Sequence, residues 1–298
     1  MMPSLRPLLR AAARTPRAAA RSALFSTQAF EWAVPPPFEP DLAVHGRENV
    51  RWPVRRVYCV GRNYAAHAQE MGNNPRDPPF YFAKPAHGAV VDCSEPGSYV
   101  PYPPRTKDLH HEVELVVAIG GSTANRGAGG VGVEGALDLV YGYAVGVDLT
   151  RRDLQQVAKD ARRPWDTAKG FDDSAPVGAI VPVETWAKKN WGHKPMADAR
   201  IQLRVNGKVR QRASTKDMTW SVAEVVADLS TLFVLEPGDL VFMGTPAGVS
   251  RLEKGDTVKA QVGGLPYCEF EMADVLPALD DPMFEQYFEG EEGGDEGR

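Results

Sequence analysis

Three carboxylates in two apolar segments are the residues of this chain best suited to chemistry. Glu112 and Glu114 stand two positions apart at the start of an apolar run that extends to Ile119 and predicts a strand. Because a strand alternates its side chains between two faces, both carboxylates project from the same face. Asp148 ends a second apolar run at 140–147, which also predicts a strand.

Two interpretations of these carboxylates are open at this point. Carboxylates within β-structure are costly to desolvate unless a positive charge neutralises them. A hard divalent cation with oxygen ligands, Mg²⁺ or Mn²⁺, would provide that charge. Alternatively, Glu112 and Glu114 lie on the water-facing side of an amphipathic strand, as alternating strands commonly arrange their polar residues. The spacing alone does not separate the two.

Composition limits the classes of protein that this chain can be. Its 298 residues include 28 Gly and 25 Pro, which favours a turn-rich, β-rich α+β architecture. No apolar stretch reaches the length of a membrane span. Cys59, Cys93 and Cys268 form neither a CxxC motif nor a cluster with histidines. We therefore expect free thiols in a reducing compartment rather than a zinc site or disulfides.

The two ends of the chain differ from its middle. Residues 1–30 contain five arginines at three- to four-residue spacing and no acidic residue. This pattern is typical of a transit peptide and favours the mitochondrial matrix over a plastid; a disordered basic arm is the alternative. Removing the segment would change the formal net charge from −5 to −10, which disfavours nucleic-acid binding. Residues 31–55 are Pro-rich and predict an irregular lead-in, and the acidic residues 279–298 predict a solvated tail.

Local patterns between the ends predict the elements that must position the carboxylates. Asn206-Gly207 suits a type I′ turn and predicts a hairpin between two short strands. Apolar residues at helical spacing predict a core-facing helix over 222–233. The other predicted elements are strands at 56–60 and 80–83, helices at 65–71 and 152–161, and a loop at 72–79.

Eight motifs occur in one order, and together they resemble the fumarylacetoacetate hydrolase superfamily, in particular its short acylpyruvase branch. The motifs are CVGRNY (59–64), HxxE (67–70), FAKP (82–85), HHEVEL (110–115), GVDLTRRDLQ (146–155), AKGFDDSAPVG (168–178), VNGKVRQ (205–211) and GDLVFMGTPAGV (238–249). The resemblance implies an α+β fold, a mixed β-sheet roll with short flanking helices, in one catalytic domain over 56–278. It also implies a homodimer that holds Mg²⁺ or Mn²⁺ and acts on a small 2-oxo acid.

The same resemblance implies a role for each candidate residue around the carboxylates. Glu112, Glu114 and Asp148 would hold the metal, and Lys169 would face the substrate and neutralise its oxyanion. Without the family, Lys169 would be interpreted as a solvated lysine. The residues implied to bind substrate are Arg62, Lys84, Arg152, Gln155 and Thr245.

A histidine and a carboxylate supply the implied base. His67 and Glu70 are three apart, so on the predicted helix they share a face, and a carboxylate partner makes imidazole a suitable base for water. In the resembling enzymes this helix orders over the substrate. Taken alone, an HxxE pair is more often exposed surface charge. His111 is assigned to a structural or supporting role, because Mg²⁺ prefers oxygen ligands.

The implied reaction is the hydrolysis of acylpyruvates, 2,4-dioxo acids, to pyruvate and a carboxylic acid. An oxaloacetate keto–enol tautomerase or decarboxylase would use the same metal, base and oxyanion partner, and the sequence does not separate these reactions. A non-catalytic binding scaffold would be expected to lack a metal carboxylate or a member of the dyad. All five of those residues are present.

Overall fold

The computed structural model describes residues 33–34, 38–64, 78–127, 129–185 and 196–274. The strands are β1 (Asp41–Ala43), β2 (Arg51–Pro53), β3 (Arg56–Gly61), β4 (Phe80–Lys84), β5 (Val90–Asp92), β6 (Ser98–Pro101), β7 (Leu109–His111), β8 (Val113–Ile119), β9 (Val140–Val147), β10 (Thr150–Arg151), β11 (Ala175–Val177), β12 (Val181–Pro182), β13 (Arg200–Val205), β14 (Lys208–Ser214), β15 (Asp239–Phe242), β16 (Ser250–Leu252), β17 (Thr257–Val262) and β18 (Cys268–Ala273). The helices are α1 (Ala86–Ala89), α2 (Val133–Ala136), α3 (Arg152–Asp160), α4 (Asp166–Lys169) and α5 (Val222–Leu232), with 3₁₀ turns at Leu137–Leu139 and Thr215–Asp217.

A mixed eight-stranded sheet forms the centre of the fold. Its order is β4-β3-β15-β8-β9-β11-β5, with β12 also paired to β9. A five-stranded sheet, β14-β13-β17-β18-β6, packs on one face and shares its core. Smaller sheets, β10-β7-β16 and β1-β2, lie at its margins. This is the α+β architecture with short helices that the sequence predicts.

Strand β8 is buried on both of its faces. Leu115 and Val117 lie in the core shared with the five-stranded sheet, and Val116 and Ala118 lie in a second core on the opposite face. Glu114 shares the face of Val116 and Ala118 by the alternation of a strand. The interpretation of the glutamates as residues of a water-facing strand surface is therefore wrong.

The segment 31–55, expected to be irregular, contains the two-stranded sheet β1-β2. Leu42 and Trp52 face each other in its register and are buried in the second core. Trp52 also stacks on Tyr141, with ring centroids 4.5 Å apart. Burial of these two large apolar side chains stabilises a short strand pair despite the neighbouring prolines.

The local predictions for the hairpin and the helix at 152–161 are confirmed. Asn206 and Gly207 have φ values of 50° and 73°, as a type I′ turn requires. Helix α3 begins at Arg152 and ends at Asp160. The strands predicted at 56–60 and 80–83 are present as β3 and β4. Outside the described residues lie 1–30, the predicted helix at 65–71, most of the loop at 72–79, and the tail at 279–298.

Helix α5 differs from its prediction at the C-terminal end. Val225, Val226 and Leu229 are buried as predicted, but the side chains of Leu232 and Phe233 are 61% and 40% exposed. The helix ends at Leu232 and Phe233 has extended backbone, so the apolar stripe does not continue into the core.

The three cysteines of the chain lie in its core. Cys59, Cys93 and Cys268 are buried free thiols. Among the described residues, no helix combines the length and apolar character needed to cross a membrane.

Gly248, in the motif that follows β15, is a position where an added side chain would strain the fold. Its φ is +96°, and a Cβ there would lie 2.3 Å from the carbonyl oxygen of Arg210. Gly255 has a similar φ of +81° but open space around it. We expect Gly248→Ala to lower the free energy of unfolding by about 3 kcal/mol and the control Gly255→Ala by about 1 kcal/mol. Urea unfolding measures both, and equal losses would show that contact with Arg210 is unimportant.

Candidate active site

The register of β8 and β9 brings the three carboxylates together. Val113 pairs with Val147, and the Asp148 amide donates to the Glu112 carbonyl at 2.8 Å, so Glu112 and Asp148 stand opposite each other. Oxygen atoms of Glu112, Glu114 and Asp148 lie within 4.8 Å of one another. The residues are 6%, 2% and 1% exposed, respectively.

Glu114 accepts a hydrogen bond from the backbone, and within the part of the chain that the structure describes it forms no ion pair with a side-chain cation. The amide of Gly244 donates to its Oε2 atom at 2.6 Å. Burial and the neighbouring carboxylates of Asp148 and Glu112 raise the pKa of Glu114 well above its usual range. The charged form of this carboxylate therefore requires a further positive charge nearby.

Lys169 and Arg152 compensate Glu112. The Lys169 ammonium donates to Glu112 Oε2 at 2.9 Å, to Asp148 Oδ2 at 2.5 Å and to Thr150 Oγ1 at 2.6 Å, and Arg152 Nη2 donates to Glu112 Oε1. Burial opposes the charged form of Glu112, but the two cations outweigh it and hold its pKa below the usual range. Burial also opposes the charged form of Lys169, whereas Asp148 and Glu112 raise its pKa.

Lys84 is a buried lysine that pairs with Asp148. It is 2% exposed, its ammonium is 2.8 Å from Asp148 Oδ1, and it donates to the carbonyl oxygens of Leu149 and Lys169. It lines neither of the two cavities described below. The ammonium therefore fixes Asp148, and the contact of Lys84 with substrate stays a prediction.

The donor set of the cluster fits a divalent cation. Glu112, Glu114 and Asp148 offer only oxygen, which hard cations such as Mg²⁺ and Mn²⁺ prefer. Asp148 Oδ1 forms an ion pair with the Lys84 ammonium at 2.8 Å, and Glu114 Oε2 accepts from the Gly244 amide. Because an ionised carboxylate has about four lone pairs, both groups keep lone pairs for a metal ion.

Helix α3 presents a polar stripe to the same site. Arg152, Gln155 and Lys159 occupy positions i, i+3 and i+7, which share one face. The Arg152 guanidinium donates to Gln155 Oε1 at 2.5 Å. Lys159 is half-buried, and burial together with the Arg152 and Arg62 cations lowers its pKa to about 8.

Thr245 and His111 belong to one hydrogen-bond network that supports β8. The Thr245 hydroxyl donates to the Val113 carbonyl at 2.9 Å and accepts from Gln211 Nε2 at 2.8 Å. Gln211 Oε1 accepts from the Val113 amide at 3.0 Å and pairs with His111 Nδ1 at 2.9 Å. Ser250 completes the contacts of the His111 ring at 2.9 Å. As predicted, His111 stands outside the carboxylate cluster, and burial lowers its pKa to about 4.

Two adjoining cavities open on these residues. The inner cavity has a volume of about 40 Å³ and is lined by Val60, Gly61, Arg62, Phe80, Phe82, Glu112, Glu114, Asp148, Arg152, Gln155, Lys159, Trp165, Lys169 and Thr245. The outer cavity has a volume of about 540 Å³ and is lined by Arg62, Phe80, Tyr81, Phe82, Ala83, Arg163, Pro164, Trp165, Asp166 and Lys169. The structure therefore gathers Arg62, Arg152, Gln155, Lys169 and Thr245 around the three carboxylates.

Two of the predicted site residues lie outside the described part of the chain, and two residues that line the inner cavity are not among the predicted ones. His67 and Glu70 are outside the described residues. Lys159 and the aromatic residue Trp165 line the inner cavity but were not singled out in the sequence. The spacing of Lys159 from Arg152 and Gln155 on one helix was the available signal.

Comparisons with known proteins agree with this geometry. The family model described as "Fumarylacetoacetate (FAA) hydrolase C-terminal" matches residues 56–273. A fumarylpyruvate hydrolase of Ralstonia sp is 41% identical over 186 residues, which are 62% of this chain and 88% of the relative. A mitochondrial oxaloacetate tautomerase of Rattus norvegicus is 37% identical over 218 residues, which are 73% of this chain and 91% of the relative.

A solved structure has a similar fold. The fumarylpyruvate hydrolase from Pseudomonas aeruginosa, in complex with Mn²⁺ and pyruvate, is 43% identical and superposes with a TM-score of 0.73. The match covers 82% of this chain and 99% of the bacterial one. The family model spans β3 to β18, and the bacterial enzyme has a similar fold. The chain therefore belongs to the fumarylacetoacetate hydrolase family.

Proposed function

We propose that this chain is a Mg²⁺-dependent acylpyruvate hydrolase that cleaves 2,4-dioxo acids such as acetylpyruvate and fumarylpyruvate. The observation that carries the proposal is the buried, oxygen-only cluster of Glu112, Glu114 and Asp148 at the floor of a cavity lined by cations. The fumarylpyruvate hydrolases at 41% and 43% identity support the same reaction. Mn²⁺ is the alternative metal.

The three carboxylates would hold the metal. A divalent cation held there would act as a Lewis acid and lower the energy of negative charge that develops on the oxygens of a 2-oxo acid. Arg152 and Gln155 would orient the substrate from helix α3, and Arg62 and Thr245, which line the same cavity, would also contact it.

Lys169 is the residue that we assign to the developing enolate. Its buried ammonium is already held between Glu112 and Asp148, so it is oriented before the substrate arrives. When water adds to the 4-carbonyl carbon and the C3–C4 bond breaks, the electron pair passes to the pyruvate unit as an enolate. An oriented cation next to that oxygen stabilises the transition state more than the substrate. Protonation of C3 then gives pyruvate beside the released carboxylic acid.

His67 and Glu70 are proposed as the base that takes the proton from the attacking water. Their spacing on a predicted helix supports the pairing, with Glu70 orienting the imidazole and raising its basicity. Both lie outside the described residues, so this part of the proposal rests on the sequence.

A second candidate function is an oxaloacetate tautomerase or decarboxylase. The relative of Rattus norvegicus at 37% identity carries the name mitochondrial oxaloacetate tautomerase. Enolisation of oxaloacetate needs the same metal, base and oxyanion partner as the cleavage of an acylpyruvate.

We also propose the location and assembly of the protein. Residues 1–30 would be a mitochondrial transit peptide, 56–278 the catalytic domain and 279–298 a solvated tail, with the mature enzyme a homodimer in the matrix. The arginine spacing of the first segment and the mitochondrial names of relatives support the proposed mitochondrial localisation.

An assay of three substrates side by side tests the proposed function. We expect the Mg²⁺-loaded enzyme to release pyruvate from acetylpyruvate and fumarylpyruvate with a kcat/KM at least tenfold above that for the ketonisation of enol-oxaloacetate. Pyruvate is measured by a coupled dehydrogenase and ketonisation by loss of enol absorbance. The reverse order of rates would favour the tautomerase, and turnover that persists in EDTA would contradict a metal enzyme.

A further inference from the structure

The outer cavity provides space that the carboxylate cluster does not use. It shares five lining residues with the inner cavity: Arg62, Phe80, Phe82, Trp165 and Lys169. The inner cavity, at about 40 Å³, is narrow, and Lys159 is among the residues that line it. The Lys159 ammonium stands 5.4 Å from the ring centroid of Trp165, and Trp165 also lines the outer cavity of about 540 Å³. The two cavities together give a longer molecule room to extend from the carboxylate cluster toward Lys159 and Trp165.

The wall common to both cavities consists of aromatic rings with cations above them. Trp165 meets Phe80 edge-on at a centroid distance of 5.5 Å and lies 6.0 Å from Phe82. The cations stand over the rings in the pairs Arg62 on Phe80 at 5.2 Å, Lys169 on Phe82 at 5.2 Å and Lys159 on Trp165 at 5.4 Å. Such a wall suits a flat, conjugated chain that carries negative charge.

Lys159 differs from the other lysine and arginine residues of helix α3 and helix α4 that face the cluster. Lys169 and Arg152 are each committed to Glu112. Among the residues that the structure describes, no carboxylate forms an ion pair with Lys159. Burial and then the nearby Arg152 and Arg62 cations lower its pKa, so an anion bound here would stabilise the charged ammonium.

The position of Lys159 on helix α3 also sets the length of substrate that could reach from the carboxylate cluster to this lysine. It lies seven residues after Arg152, about 10 Å along the helix at 1.5 Å per residue. Arg152 lies at the carboxylate cluster, where it forms an ion pair with Glu112. An extended seven-carbon chain spans about 7–8 Å, given C–C bonds of about 1.5 Å. A chain of that length with its 2-oxo acid end at the cluster therefore brings its other end within reach of the lysine side chain.

We propose that Lys159 binds the terminal carboxylate of a dicarboxylic 2,4-dioxo acid whose acyl chain lies against Phe82 and Trp165. This inference rests on the proposed function and adds a substrate class to it. An acyl group that ends in a carboxylate, as a fumaryl group does, is preferred over an acetyl group. Lys159 is then a determinant of specificity rather than of the bond-breaking step.

The first test compares two substrates in one variant. We expect Lys159→Met to lower the ratio of kcat/KM for fumarylpyruvate to that for acetylpyruvate by about 10- to 100-fold, the value of a charged hydrogen bond. Lys159→Arg retains the charge and should retain most of the ratio. Lys208→Met, at an exposed hairpin position, is the matched control and should not change it. An unchanged ratio in Lys159→Met, or a lowered ratio in Arg163→Met instead, overturns the proposal.

The second test measures binding without turnover. Two 2-oxo acids that lack the cleavable 4-carbonyl, 2-oxoheptanedioate and 2-oxoheptanoate, differ only in a terminal carboxylate. We expect the Mg²⁺-loaded enzyme to bind the dicarboxylate at least tenfold more tightly in calorimetry, and Lys159→Met to remove that preference. Equal affinities in the unaltered enzyme overturn the proposal. If the preference is present but no acylpyruvate is cleaved, the subsite stands and the proposed reaction is wrong.

Discussion

Glu114→Gln is expected to abolish metal-dependent turnover while leaving the metal-free protein at least as stable as before. The amide is almost the shape of the carboxylate and its oxygen can still accept from Gly244. It removes one of three like charges that are buried together, which relieves repulsion in the metal-free protein. With one anionic ligand gone, we expect Mg²⁺ affinity to fall at least 100-fold, about 2.7 kcal/mol, and kcat/KM to fall about 10³-fold.

Thermal unfolding with and without Mg²⁺ measures the metal-free stability and the loss of metal binding that we expect. A ligand at 100 times its Kd stabilises the native state by about 2.7 kcal/mol, which raises the Tm of a domain of this size by about 5–10 °C. Glu114→Gln should lose that rise, whereas Glu134→Gln, the same substitution at an exposed position, should keep it. If Glu114→Gln retained the metal-induced rise and turnover, Glu114 would not be a ligand.

The sequence predicts the carboxylate cluster well because its geometry follows from strand periodicity. Alternation places Glu112 and Glu114 on one side, and the antiparallel pairing of β8 with β9, the next strand along the chain, places Asp148 opposite Glu112. Neither step depends on a distant part of the chain. What periodicity does not reveal is burial: an alternating strand is compatible with one wet face, and the second core that covers β8 is built from remote residues such as Leu42 and Trp52.

The roles of the lysines are less predictable because they depend on side-chain direction at long sequence separation. Lys84 and Lys169 are 85 residues apart, yet both ammonium groups meet Asp148. A motif match assigns both to the site without showing which one faces the cavity. The spacing of Lys159 from Arg152 on helix α3 is a weak signal, and the structure identifies Lys159 as a cavity residue beside Trp165, which directly precedes helix α4.

Lys169→Met is expected to bind Mg²⁺ more tightly, whereas Glu114→Gln binds it more weakly. Both variants are expected to lose turnover. The Lys169 ammonium contacts Glu112 and Asp148 at 2.9 and 2.5 Å. Removing one partner of a buried ion pair costs about 3–5 kcal/mol, so the metal-free variant should unfold at lower temperature. The freed carboxylate oxygens then bind Mg²⁺ more tightly, and the metal-induced rise in Tm should exceed that of the unaltered protein.

Turnover of Lys169→Met should nevertheless fall about 10²- to 10³-fold even at saturating Mg²⁺, since an oriented donor to a developing oxyanion has that value. Lys84→Met is the matched comparison, because Lys84 is equally buried and also pairs with Asp148 but does not line the cavities. It should lose metal-free stability in the same way and recover most turnover when Mg²⁺ saturates. Equal losses of turnover in the two variants would mean that Lys169 acts by fixing Asp148, and that the enolate is stabilised without it.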